Sequence, residues 1–445
     1  DSGPSERKKS KMCCSYGENC YRRNPTHFTE YLHPHLDELY SHQKDGEELK
    51  VPSGYKAKID TDIILDQLQI YRDKGFAPEN EIQNAEREKQ DTTDKKPIAV
   101  GSNIDINQGS GKRKGFAFRL AEAGPYNFFL TAIRDSPPTH KEALSIRFHE
   151  LLDPTMGDLD SSLQINFMVE LDWLLEMYKV YGHESKPLFI LYGQEDDMLK
   201  DPKSLPHNIK ARRIKPSAFG HHHTKMSLFY YKDNSMRVVV STANLISSDW
   251  YNRTQGVWVS PSCPQLPVET DTRAGESPTE FKADLLRYMA FYQLPALQEW
   301  MSRLRKTDFS AIRVFLVASV PGCHRGPESD KWGHRRLGHL LKKHATLPSL
   351  LSPSERNESW PVIAQCSSIG TLGAGPDTWM CGELRTSMSQ RSVQPGDMPQ
   401  PPPKFKVIYP SLRNVKSSHD DLLGGSCLPY SRRTHEKQTW LRKFL

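Results

Sequence analysis

Three residue types in one short stretch carry the strongest chemical signal in this sequence. His223-Thr224-Lys225 leads into two apolar-rich runs, Met226 to Tyr231 and Met236 to Thr242, separated by the turn formers Asp233 and Asn234. Two such runs about a short polar turn read as a β-hairpin. The strand repeat of two puts His223 and Lys225 on one face. A turn centred between Asp233 and Asn234 brings Asn244 opposite His223, an inference that a slip of one residue would undo. An imidazole, an ammonium and a carboxamide at one end of a buried hairpin suit phosphoryl transfer. A neutral imidazole attacks phosphorus. The ammonium and the carboxamide donate to oxygens on which charge develops, usually the largest catalytic contribution. No clustered Asp/Glu set for Mg²⁺ lies nearby, so no metal is expected in the chemistry.

Around that stretch, 445 residues are enough for two or three domains with a large core. Only 36% of them are hydrophobic, 32 are proline and the mean hydropathy is −0.66, so part of the length is expected to stay unpacked. No run approaches the roughly 18 apolar residues of a membrane span and no secretory core opens the chain, so no membrane partner is expected. The eight cysteines are scattered outside one N-terminal cluster, which fits a reducing compartment better than a disulfide framework. A net charge of +6 permits an anionic partner without requiring one.

The elements that must position these residues follow in order. Residues 1–10 read as a disordered tail. In 11–34, Cys14, Cys20, His27 and His33 form a Cys₂His₂ set able to close a tetrahedral structural zinc site. A segment this short cannot build its own core, so metal binding would supply its folding free energy. Residues 35–114 read as a linker with one helix, Thr61 to Lys74; Lys112-Arg113-Lys114 at its end suits a small nuclear import patch or a solvated basic end.

Order is expected to return at Phe116. Phe128 to Thr131 reads as a strand or loop, and Leu163 to Tyr181 as a helix burying Phe167, Leu171, Leu174 and Leu175. Pro187 to Gly193 reads as a short apolar strand. With the hairpin these complete a first half, 115–262. After Pro264 the pattern restarts as a second half, 263–445. It comprises a helix near Phe281 to Tyr292, a strand from Val314 to Ser319, a helix near Lys331 to His344 and a Gly-punctuated loop with Ser367, Ser368 and Thr371. An exposed loop over 392–404 with five prolines and a strand from Phe405 to Tyr409 follow. Strands alternating with helices give an α/β layer fold.

The hairpin also carries a resemblance. His223-Thr224-Lys225 followed by Ser241-Thr242-Ala243-Asn244-Leu245 resembles the first HxK(x)nN half-motif of the tyrosyl-DNA phosphodiesterase family, in the phospholipase D superfamily. Ala218-Phe219-Gly220 before it, and Asp249-Trp250 and Thr254-Gln255-Gly256 after it, extend the likeness. So do Val317 to Gly322, Trp332-Gly333-His334, Ser367 to Gly370 and Leu428-Pro429-Tyr430, over about residues 115 to 445. Residues 11–34 resemble the poly(ADP-ribose)-binding zinc finger at Lys11, Cys14, Tyr16, Gly17, Cys20, Tyr21, Arg22, Asn24, His27, Tyr31 and His33.

What these resemblances imply is specific. The fold is α/β, with phospholipase D-like layered sheet-and-helix halves plus a small zinc finger. His223 attacks a DNA 3′-phosphate and becomes a phosphohistidine, Lys225 and Asn244 donate to the phosphate oxygens, and Gln255 orients the imidazole. Phe219, Ser368 and Thr371 hold DNA. Zinc sits on Cys14, Cys20, His27 and His33, while Tyr16, Tyr21 and Arg22 contact the adenine and phosphate of poly(ADP-ribose). The partners implied are single- and double-stranded DNA 3′ ends with tyrosyl adducts, met by a nuclear monomer. The family uses a second such half-motif, whose histidine serves as general acid and base. It should follow the Glu436 to Trp440 region, and the sequence stops at Leu445. The expectation is therefore an incomplete second half and a truncated chain whose activity is in question, with a poly(ADP-ribose)- and DNA-end-binding adaptor as the competing reading.

Overall fold

A computed structural model describes residues 12–14, 17–20, 28, 31–44, 47–52, 54–56, 59, 61–75, 114–194, 199, 205–216, 220–268, 270–271, 273–346, 361–393, 402–419, 421–425 and 428–445. They fall into two units, residues 1–103 with 409–430 and residues 104–408 with 431–445. No helix among the described residues is long and apolar enough to cross a membrane.

In the first unit, β1 (Met12–Cys13) pairs in parallel with β2 (Tyr31–Leu32), ahead of helices α1 (Pro34–Ser41) and α2 (Thr61–Lys74). Ile64, Leu68 and Tyr71 recur along α2 at helical spacing and meet Phe28, Leu36 and Leu39 in a small core. Buried Gln67 of α2 donates to the Cys20 carbonyl at 2.6 Å. The expected linker is thus corrected: its first part, through Lys74, is packed against the finger. The reason is hydrophobic, because a finger of this length lacks the apolar area to stand alone and α1 and α2 provide it. Residues 76–113, including Lys112 and Arg113, lie outside the described residues, and Lys114 pairs with Glu122.

The second unit is organised by one eight-stranded mixed sheet. After α3 (Phe116–Glu122) come β3 (Phe128–Thr131), β4 (Ser145–Ile146), β5 (Leu159–Asn166), α4 (Leu171–Lys179), β6 (Leu188–Tyr192), β7 (Ile209–Arg213), β8 (Lys225–Tyr231), β9 (Met236–Ser241), α5 (Ser247–Tyr251) and β10 (Gly256–Val259). The strand order is β4-β3-β10-β9-β8-β5-β6-β7, with β8 and β9 near the centre. On β8, Met226 and Leu228 enter one core and Phe229 and Tyr231 the other, so both faces are covered. One core takes α4; the other takes α6 (Phe281–Phe291) and α7 (Gln298–Arg305).

That second core overturns the boundary at residue 262. Phe281, Leu285, Met289 and Leu304 pack on Leu163, Ile165 and Leu228, so the helices that follow residue 263 cover the first sheet instead of beginning a separate half. The α/β layering expected from the alternation of elements is present.

Two further readings change. Leu163 to Asn166 belongs to a strand, and the helix begins only at Leu171. Ser162 to Phe167 alternates polar and apolar, but the polar positions are buried too. Ser162 and Gln164 both reach the Tyr178 hydroxyl, at 2.6 and 3.0 Å. Val314 to Ser319 forms no strand and joins no sheet among the described residues. Its Val314 and Ala318 carbonyls accept instead from the Thr279 hydroxyl and the Gly333 amide that opens α8 (Gly333–His344). Farther on, β11 (Val362–Gln365) and β12 (Phe405–Ile408) pair in parallel, and most of the proline-rich loop between them lies outside the described residues. A last short helix, α9, spans Arg432–Lys437.

Candidate active site

The site lies at one end of the central strands. Asn166, the last residue of β5, pairs with Lys225, the first of β8, and with Tyr192 at the end of β6. Ser241 ends β9 beside Val257 of β10. The hairpin register is shifted by one from the expected one: Met226 pairs with Val240 and Tyr230 with Met236, so the turn centres on Asp233. Asn234 takes a left-handed φ of 63°, and Asp233 Oδ1 accepts from the Ser235 amide at 2.9 Å and its hydroxyl at 2.7 Å. This is a three-residue loop, not the two-residue one assumed. Asn244 is therefore not placed opposite His223 by the ladder.

His223 and Lys225 do come together. Lys225 Nζ lies 2.9 Å from His223 Nδ1 and 3.2 Å from its carbonyl oxygen. Phe167, one residue past β5, stacks on the His223 ring at 4.8 Å and 27°, with Lys225 Nζ 5.8 Å from its centroid. Gly193 makes the approach possible, since a Cβ there would stand 2.8 Å from both the His222 carbonyl oxygen and the Phe167 ring. Beside them opens a cleft of about 1070 Å³, lined among others by His221, Lys225, Tyr288, Tyr292, Arg212 and Lys215.

Asn244 is held differently. Its amide and side-chain nitrogen both donate to Asp249 Oδ2, at 2.7 and 2.9 Å, and the Trp250 indole donates to its carbonyl at 3.0 Å. Asp249, on α5, is 4% exposed and is also paired with Arg253. Its charge acts favourably on the protonated forms of Lys225 and His223. Gln255 does not hold the imidazole: its Oε1 accepts from the Thr242 hydroxyl at 2.6 Å, and the ring is set by Phe167 and Lys225 instead.

Burial decides the protonation states. It pushes Lys225 down to about 8, against the pull of Asp249. Burial, then the Lys225 and His221 charges, hold His223 below the ordinary imidazole value of 6.5. At neutral pH the imidazole is a free base beside an ammonium, the pairing that attack on an anionic phosphate diester requires. Covalent adduct formation is expected to follow a bell in pH. It rises as His223 loses its proton below 6.5 and falls as Lys225 loses its own near 8. Rapid-quench rates across that range check it, and a rate still climbing well above 8 would show that the Lys225 charge is not used.

Phe219 lies outside the described residues. Ser368 and Thr371 are exposed on the loop after β11 and do not line the cleft; Gln438 ties that loop through the Gly370 carbonyl and the Leu372 amide. Sequence reading missed a second His-x-Lys triplet, His435-Glu436-Lys437, on α9. A helix turns positions two apart to roughly opposite sides, whereas a strand keeps them on one face. His435 is engaged by Arg442, 3.1 Å away, and does not line the cleft. In the first unit, Cys14, Cys20 and His33 are buried with ligand atoms within 4.8 Å of one another, a thiolate and imidazole set that suits zinc. Tyr16, Tyr21, Arg22 and His27 lie outside the described residues.

A sheet covered on both faces by helices, with a His-x-Lys pair at the end of its central strands, defines a phosphodiesterase of the phospholipase D-like class. Residues 127–445 match the tyrosyl-DNA phosphodiesterase family and residues 11–36 the PBZ domain. The chain is 42% identical to tyrosyl-DNA phosphodiesterase 1 of Drosophila melanogaster, over 97% of this chain and 79% of that protein. It is 32% identical to a probable tyrosyl-DNA phosphodiesterase of Caenorhabditis elegans, over 72% and 68%. A crystal structure of a mutant yeast tyrosyl-DNA phosphodiesterase shares the fold, with a TM-score of 0.53 at 18% identity over 71% of this chain and 72% of that one. The chain belongs to the tyrosyl-DNA phosphodiesterase family, hydrolases of DNA repair. That membership disfavours the adaptor reading.

Proposed function

We propose that His223 is the nucleophile of a reaction that frees a DNA 3′ end from a topoisomerase-derived tyrosyl peptide. The observation that carries it is the imidazole at the cleft with Lys225 Nζ 2.9 Å from its Nδ1. When the ammonium turns to a phosphate oxygen, Nδ1 is released to carry the ring proton and Nε2 exposes its lone pair. Nε2 then bonds to phosphorus, the bond from phosphorus to the tyrosyl oxygen breaks, and the phenolate takes up a proton. Water cleaves the phosphohistidine and leaves a 3′-phosphate. Lys225, with Asn244 fixed by Asp249, stabilises the charge on the phosphate oxygens. Phe167, not Gln255, orients the ring. Phe219, Ser368 and Thr371 hold the DNA, single- or double-stranded, and the same site trims other 3′ adducts as an exonuclease would. A 3′-phosphotyrosyl oligonucleotide quenched in the first turnover should yield an acid-labile, alkali-stable protein–DNA adduct mapping to residue 223. An adduct elsewhere would refute the assignment.

The finger, with zinc on Cys14, Cys20, His27 and His33, recruits this nuclear monomer to poly(ADP-ribose) at breaks through Tyr16, Tyr21 and Arg22. A base stacked on an aromatic ring contributes about 1–3 kcal/mol. Tyr21→Ala is therefore expected to weaken polymer binding about ten-fold or more while zinc still binds one-to-one. Equal polymer affinity in a filter-binding titration would remove Tyr21 from recognition.

A further inference from the structure

The residues around His223 are poorly held by their own backbone. Among the described residues, none of His221 to Thr224 makes a backbone–backbone hydrogen bond, and the ladder of β8 begins only at Lys225. A segment without ladder bonds fixes a side chain only through side-chain contacts. Among the described residues the His223 side chain has two of these, the Phe167 stack and Lys225, and Lys225 must leave it to serve a phosphate.

Its two chain neighbours are clamped from across the cleft. His222 Nε2 meets the Tyr292 hydroxyl at 2.9 Å, and Tyr292 meets the Tyr288 hydroxyl at 2.6 Å. Tyr288 in turn meets the Thr224 hydroxyl. Tyr288 lies on α6 and Tyr292 immediately after it, 64 and 70 residues from their partners. The four groups form a closed line that runs His222, Tyr292, Tyr288, Thr224 and brackets position 223 on both sides. Either tautomer of His222 satisfies every hydroxyl in the line, because reversing one donor reverses them all. His222 and Tyr288 are buried, at 8% and 5% exposure, so bonds lost there leave polar groups with little access to water.

We infer that Tyr288 and Tyr292 are positioning residues for the phosphotransfer: through Thr224 and His222 they hold the backbone on both sides of His223, so that the imidazole keeps its direction when Lys225 turns to the phosphate. This rests on His223 being the nucleophile. A displacement of about 1 Å in a reacting group can cost on the order of 10²-fold in rate, which sets the scale of the effect.

The test uses the full chain with a 3′-phosphotyrosyl oligonucleotide under single-turnover conditions, with DNA affinity and melting temperature measured alongside. Tyr292→Phe and the pair Tyr288→Phe with Tyr292→Phe are expected to slow adduct formation about ten-fold or more at unchanged DNA affinity. Thr224→Ala should slow it likewise, and Thr224→Ser, which restores the hydroxyl, should recover the rate. If the paired variant does not fold, Tyr292→Phe and the two Thr224 variants decide. Wild-type rates in these variants overturn the inference. So does a rate loss that tracks a loss of melting temperature or of DNA affinity. If the unaltered chain forms no adduct at His223, or His223→Ala still forms it, the nucleophile assignment has failed instead.

Discussion

Replacing His223 with alanine is expected to abolish the covalent DNA adduct and to slow tyrosine release by at least about 10⁴-fold. The neighbouring imidazoles are poor substitutes, for different reasons. His222 is buried, with its pKa pushed down to about 4 mainly by desolvation, and its Nε2 is taken by Tyr292. His221 lines the cleft but, unlike His223, has no aromatic ring stacked against it among the described contacts. The replacement should leave the fold intact, because His223 belongs to neither apolar core and sits ahead of the first ladder residue. A melting temperature near that of the unaltered chain, with the adduct gone, is the expected pair of results. An adduct of undiminished yield in the variant would transfer the nucleophile to another group.

How much of this was legible in the sequence depends on the range of the forces involved. The helix Thr61–Lys74 and the hairpin strands were readable because periodicity is local, and both hairpin strands end within one residue of the expected bounds. The register was not. It turns on whether the loop holds two residues or three, and the decisive facts are the Asp233 bonds to Ser235 and the left-handed Asn234. The helical pattern expected from Leu163 onward fails over Leu163 to Asn166 because the polar positions of this stretch are buried, with Ser162 and Gln164 meeting the Tyr178 hydroxyl. Tyr288 and Tyr292 left no local signal, since each meets the motif across 64 or more residues of chain. Alternation from Ser162 through Phe167 was the one clue that could have placed Phe167 at a strand end beside His223.

Lys225→Met is expected to slow adduct formation about 10²–10³-fold, the scale measured when one oxyanion donor is removed. The methionine keeps most of the apolar stem while deleting the charge, so packing against Phe167 changes little. Two opposing effects on His223 then separate the roles of the ammonium. Without the Lys225 charge, the imidazole binds its proton more readily, and the acid limb of the pH profile moves up. It should stop short of 6.5, because burial, the larger cause of the depression, remains. The alkaline limb near 8 should vanish altogether, since the group that titrates there is gone. An ammonium that served only to depress the His223 pKa would produce the shifted acid limb with little loss of rate at the optimum. One that serves the phosphate oxygens costs the full factor even where His223 is neutral, so the optimum rate distinguishes the two.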